Sequence, residues 1–190
     1  MATLDNPNTT VNESTVPFLP TALKYGGICG LVYVLYQVVA YMMDMPVPTS
    51  FGTMILTFVL IFAIGIGATV MAIKHHRNNE LNGYISFGRA FLLGFLTLVI
   101  AAAISTVFQM VYVLAIDPGI IDIAEQNMEK MLTGFGLTGE ALEQSVKGVR
   151  DGFTPGKMLL QGLVFNNIFN AVIALIIAAI MKRKPAEMMA

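Results

Sequence analysis

Between Gly52 and Ile73 the chain carries no charged side chain, and the same is true from Met158 to Met181. A bilayer core of roughly 30 Å takes about 20 consecutive, mostly apolar residues to cross as a helix. Inside lipid the backbone must satisfy its own hydrogen bonds, so such runs are read as α-helices. Two further runs qualify, Thr21–Met43 with Lys24 near its entry and Phe87–Ile116 with Arg89 in its first turn. The stem of Arg89 is expected to snorkel toward headgroups. Composition agrees: 56% of residues are hydrophobic and 12% charged, against about 45–50% and about 25% in an ordinary soluble domain. The sequence therefore predicts an all-α membrane protein, a four-transmembrane-helix bundle with spans near 21–43, 52–73, 87–116 and 158–181.

The breaks between spans carry turn-forming residues. Asp44-Met45-Pro46-Val47-Pro48 makes a short connection that forces the first two spans to be antiparallel neighbours. Asp117-Pro118-Gly119 stops the third, Pro155-Gly156 precedes the fourth, and Pro185 follows the basic Lys182-Arg183-Lys184 stretch. Residues 1–20 are polar and lack the basic start of a secretory signal, so they are expected to form a disordered cytoplasmic tail. Residues 185–190 form a short C-terminal tail. Asn8-Thr9-Thr10 and Asn12-Glu13-Ser14 match the glycosylation pattern, which has no meaning in a cytoplasmic tail.

Orientation follows from Lys and Arg close to the span ends, which favour the cytoplasmic side. Lys24, Lys74, Arg77, Arg89, Lys182, Arg183 and Lys184 fall on one side. Lys130, Lys147, Arg150 and Lys157 fall on the other, all in the long loop between spans three and four. Both termini are thus expected in the cytoplasm and residues 117–156 outside. In that loop apolar residues recur at Ile121, Ala124, Met128 and Met131, and again at Leu142, Val146, Val149 and Phe153. These are helical stripes, so the outer loop is predicted to hold two short amphipathic helices joined near Thr133-Gly134-Phe135-Gly136. Glu140 and Glu143 begin the second while Lys147 and Arg150 end it, as the helix dipole favours. Their apolar faces either cap the bundle, lie on the leaflet or dock a partner.

Buried ionisable residues mark many pumps and exchangers, but the middles of all four spans contain none. Uncharged polar residues recur instead. Gly162, Asn166, Asn170, Ala174 and Ala178 follow at intervals of four, and Thr97, Ala101, Ser105 and Gln109 form a comparable face. The simpler reading is a packing seam, since small residues let helices approach and carboxamides bond across the contact. The functional reading is a polar crevice lined by Gln37, Gln109, Asn166 and Asn170 for a small solute or a partner helix. Gly26-x-x-x-Gly30 serves an intrachain seam or a dimer face equally well, leaving a homo-oligomer open.

Chemistry-bearing patterns are sparse. His75 and His76 are adjacent and so do not share one helical face, and no cysteine or acid cluster completes a metal site around them. A basic flank touching lipid is the better account. Met42, Met43 and Met45 are better explained by packing than by a soft metal. Cys29 is the single cysteine, placed in an apolar run, so no intrachain disulfide forms. No nucleophile elbow, HExxH, P-loop or Ser-His-Asp set is visible. The expectation is no enzyme, no cofactor and no metal. A formal net charge of -1 gives no basic footprint for nucleic acid.

Three features carry a resemblance: Lys24-Tyr25-Gly26 opening the first span, the run Gly83-Tyr84-Ile85-Ser86-Phe87-Gly88-Arg89-Ala90-Phe91, and the Ile116-Asp117-Pro118 exit followed by an acidic helical loop. From about Lys24 to Lys184 the chain resembles a family of bacterial inner-membrane proteins known as domain of unknown function 4199. The resemblance implies the same four-helix architecture in that membrane and supplies no activity. Within the second feature, Ser86 reads as a helix cap and Asn82-Gly83 as the preceding turn. The partners expected are the lipid bilayer and other membrane proteins. The functional expectation is a non-enzymatic accessory or scaffolding component of a membrane assembly, with a small oligomeric channel or carrier for an uncharged solute as the alternative.

Overall fold

The computed structural model describes residues 12–183. The expected N-terminal tail lies outside them in its residues 1–11, as do Asn8-Thr9-Thr10, Lys184 and the C-terminal tail. From Asn12 the chain makes one 3-10 turn, Glu13–Thr15, which the Asn12 side chain caps by accepting from the Ser14 backbone at 3.1 Å.

Among the described residues, four helices are long and apolar enough to cross a membrane. The first is α1, Leu19–Met42, with Pro20 in its opening turn where a missing N–H costs nothing. Next comes α2, Phe51–His75, extended by a π turn at His76–Glu80. Ser50 and Thr53 close a reciprocal capping box at its start: the Ser50 hydroxyl accepts from the Thr53 backbone and the Thr53 hydroxyl from the Ser50 backbone. The third, α3, runs Phe87–Val111 and continues through a π turn at Tyr112–Ile116. Ser86 caps it as its position suggests, accepting from the Arg89 backbone at 3.3 Å, and Asn82 and Gly83 both take positive φ in the preceding turn. Between the third and fourth long helices lie α4, Ile120–Gly134, and α5, Gly139–Gly152. The fourth long helix is built from α6, Pro155–Leu160, a π turn at Gln161–Phe165, and α7, Asn166–Met181.

Small residues determine how these helices meet. α3 is central and packs on α1, α2 and α7. A Cβ on Gly26 would lie 2.7 Å from the Thr97 carbonyl oxygen and 2.8 Å from Ile100 Cβ. One on Gly30 would lie 2.8 Å from Ile104 Cβ. Both glycines of the Gly26-x-x-x-Gly30 pattern are therefore consumed inside the chain by α3. Gly94 meets Thr69 and Gly65 meets the Tyr33 hydroxyl in the same manner. The buried core runs through Ala72, Ile73, Leu93, Ala90 and Ala178 at one end and Tyr41, Val113, Ile120 and Met158 at the other. Cys29 is buried between α1 and α3 beside Ala68 and Ala101, as an inert small side chain would be.

The outward faces are as apolar as the seams. Phe58, Val59, Phe62 and Met71 on α2 are exposed, as are Ile168, Phe169, Val172, Ile176 and Ile180 on the fourth long helix. Apolar area of this extent is rare on soluble monomers and marks an apolar environment.

The start of α1, the α2–α3 connection and the end of α7 share one end of the molecule. Ile85 and Arg183 exchange backbone hydrogen bonds of 3.0 and 2.9 Å there, fastening the α3 entry to the last turn of α7. At the opposite end, Ile120, Ala124 and Asn127 of α4 are buried. The Asn127 carboxamide donates to the Asp44 carbonyl at 2.7 Å, and Phe135 meets Phe51 edge to face. α5 packs on α4 and buries none of its residues.

Candidate functional site

At the α4–α5 end, a cavity of about 480 Å³ opens between α5, the α1–α2 connection and the junction of α3 with the fourth long helix. Gln109, Gln161, Asn166 and Ser145 give it polar groups, and Val149, Phe153 and Met158 give it an apolar wall. Gln161 and Asn166 sit at the two ends of the π turn at Gln161–Phe165, while Gln109 comes from α3. The turn brings Gly162 against α3 so closely that a Cβ there would lie 2.1 Å from the Thr106 hydroxyl. Gln161 and Asn166 then border the same space from the two ends of the turn. π turns insert an extra residue into a helix and recur at functional positions.

Of the four residues expected to line a polar crevice, the structure brings two together. Gln109 and Asn166 share the cavity, with Gln109 also against the Tyr41 hydroxyl. Asn170 instead donates to Asn167 at 2.9 Å, and Asn167 donates to the Leu163 carbonyl at 2.9 Å, so this pair is spent along its own helix. Gln37 stays on α1 away from the cavity lining, its carboxamide oxygen buried without a partner. Asn166 and Asn170 both follow the π turn in α7, one turn apart, and only Asn166, at the end nearer α5, lines the cavity.

An ion cluster ties α5 to α4 over the cavity. Arg150 donates to the Glu125 carboxylate at 2.8 and 2.7 Å and also pairs with Asp122. These carboxylates push the Arg150 guanidinium pKa further up. Lys147 bonds Glu143 at 2.8 Å one turn apart, which holds the Glu143 carboxyl below its ordinary range. Both clusters are solvent-exposed, so they orient the helices more than they stabilise them.

The second polar cluster lies at the other end and went unrecognised in the sequence. Arg89 does not reach out to headgroups as its position suggests. Its Nε donates to His76 Nε2 at 3.2 Å, and its guanidinium lies 4.5 Å from the Phe18 ring centroid. An arginine only donates, so His76 carries its proton on Nδ1 and donates from there to Glu80 at 2.7 Å. The other Glu80 oxygen accepts from Thr21 at 2.7 Å. Glu13 completes the network by accepting from both the backbone N–H and the hydroxyl of Ser86, at the α3 N-terminus. His76 and Glu80 lie four positions apart, a helical spacing that is the one sign of the pair in the sequence. The network joins the N-terminal turn, α1, α2 and α3, and one Nη of Arg89 stays buried in it without a partner. Among the described residues, no group of three or more His, Cys, Asp or Glu side chains is arranged to hold a metal ion.

Comparison with known proteins adds the family. No curated protein and no solved structure matches the chain. The model of a family described as "Protein of unknown function (DUF4199)" matches residues 24–183, from the opening of α1 to the last turn of α7. The chain belongs to that family.

Proposed function

We propose that the chain is a multi-pass protein of the bacterial cytoplasmic membrane and serves as a non-enzymatic accessory or scaffolding component of a membrane assembly. The two termini lie in the cytoplasm, where the basic residues near the span ends cluster. The four long helices form the bundle, and α4 and α5 are the two amphipathic helices of the outer loop. Their polar faces are turned to water and their apolar stripes toward the bundle end.

One observation carries this reading. α4 is fixed to the long helices through Ile120, Ala124 and Asn127, whereas α5 buries nothing and stands on α4 through Arg150. An uncovered helix oriented on α4 by ion pairs is what a docking platform requires. The close glycine seams on both sides of α3 favour a structural bundle over a conduit through one chain. Extraction in mild detergent with crosslinking is expected to recover a stoichiometric protein partner through α5. Recovery of lone monomers alone would overturn the reading.

The cavity with Gln109 and Asn166 gives the rival some support, a small oligomeric channel or carrier for an uncharged solute. Replacing Asn166 and Asn170 with Leu separates the two. A carrier loses flux while remaining folded; a scaffold keeps its partner.

A further inference from the structure

The cavity under α5 has a chemistry of its own. Three carboxamides, Gln109, Gln161 and Asn166, border it together with the Ser145 hydroxyl, and no charged side chain is among its lining residues. Among the described residues, the carboxamides of Gln161 and Asn166 have no hydrogen-bond partner within the chain. Each carboxamide offers two donors and an acceptor. Both side chains are exposed to the cavity, so a ligand that both donates and accepts can take up their hydrogen bonds in place of water.

We propose that this cavity binds a neutral, hydroxyl-bearing ligand, either a free polyol or the sugar headgroup of an uncharged lipid. Hydroxyls donate and accept at one atom, so neighbouring hydroxyls fit a set of carboxamides. A phosphate or carboxylate would find no cation among the lining residues, because Arg150 is occupied by Glu125 and Asp122. The apolar faces of a sugar ring have Phe153, Val149 and Met158 to rest on. A volume of about 480 Å³ falls within the roughly 300–1,000 Å³ usual for small-molecule sites.

Glycines keep the space open. Gly148 and Gly152 line the α5 side, and a Cβ on either would meet nothing within 4 Å. On the opposite wall Gly162 is locked against Thr106. The site thus has a fixed floor on α3 and the fourth long helix and a thin roof on α5. The inference rests on the membrane reading above, which places the cavity at the bilayer surface within reach of both ligand sources.

The test uses the full chain in nanodiscs with two probes, glucose and monoglucosyl diacylglycerol, and with phosphatidylglycerol as the anionic competitor. One probe is expected to bind at one per chain and to resist displacement by the competitor. Glucose binding assigns a free polyol; binding of the glycolipid alone assigns a lipid headgroup. Gly148→Leu fills the cavity from a helix that buries nothing, so the protein stays folded while affinity falls tenfold or more. Asn166→Leu is expected to weaken binding similarly. The proposal is overturned if neither probe binds, if Gly148→Leu binds as tightly as the parent, or if phosphatidylglycerol displaces the probe equally well. Nanodisc incorporation and partner crosslinking report on the membrane and scaffold readings separately, so their failure is distinguishable from loss of binding.

Discussion

Alanine at Gly26 and at Gly27 is expected to have opposite consequences, although the two positions are adjacent on α1. A Cβ at Gly26 falls 2.7 Å from the Thr97 carbonyl oxygen and 2.8 Å from Ile100 Cβ, whereas one at Gly27 meets nothing within 4 Å. Comfortable carbon contacts lie at about 3.5–4.0 Å, so α1 must retreat from α3 by about 1 Å over this part of the seam. The obstacle at Gly26 is partly backbone and does not rotate away. Overpacking of this kind costs ~1–3 kcal/mol. Replacing glycine in a helix returns about 1 kcal/mol of backbone entropy at either site, so that gain cancels between the variants and their difference isolates the clash. Gly27→Ala should unfold at or above the parent temperature in detergent. Gly26→Ala should lie below Gly27→Ala by ~2–4 °C per kcal/mol for a chain of this size. Thermal unfolding of both proteins, with monomer state checked by size exclusion, measures the gap. Indistinguishable melting temperatures would refute the close α1–α3 seam.

Other outcomes follow from groups with unusual surroundings. The Thr69 hydroxyl is buried without a partner, and an unmatched buried polar group costs about 1–3 kcal/mol; Thr69→Val should therefore raise the melting temperature, and a clear drop would show that the hydroxyl is bonded. Arg89→Leu strips the fully buried His76 of its donor and should cost about 1–3 kcal/mol. Lysine at this position should not restore it, because it lacks the planar Nε; full rescue by lysine would sink the network. Arg150→Ala should speed amide exchange throughout α5 while α3 remains unchanged, and unchanged α5 protection would show that other contacts hold it. The lowered Glu143 pKa means that its pairing with Lys147 contributes at neutral pH. That contribution is lost as pH falls through the lowered Glu143 value and as it rises through the raised Lys147 value, so α5 protection, corrected for the intrinsic pH dependence of exchange, should fall at both extremes.

The long helices were legible because apolar runs and breakers state them directly, although the second continues as helix seven residues past Ile73, to Glu80, through a π turn that hydropathy does not mark. Gly26 and Gly30 were recognised as contact residues, but not which neighbour they meet; spacing reports a face and not its partner. Three π turns were invisible. The one at Gln161–Phe165 sets Gly162 against Thr106 of α3, and Gln161 and Asn166 at its ends line the cavity. A rule of constant helical pitch cannot foresee a local insertion. The Arg89–His76–Glu80–Thr21 network was missed for a related reason. Thr21 stands 59 positions from Glu80, and Arg89 reaches His76 only across the turn between α2 and α3, so the folded end of the molecule is what joins them.

The central claim is that four helices cross a membrane and leave α4 and the α2–α3 connection on opposite sides. It is tested most directly by labelling intact cells with a membrane-impermeant maleimide, in a Cys29→Ala background carrying either Lys130→Cys or Asn78→Cys, both at exposed positions. Lys130→Cys should react from outside intact cells, and Asn78→Cys only after the membrane is broken. Equal labelling of both from the same side, or recovery of the chain in the aqueous fraction without detergent, would contradict the account.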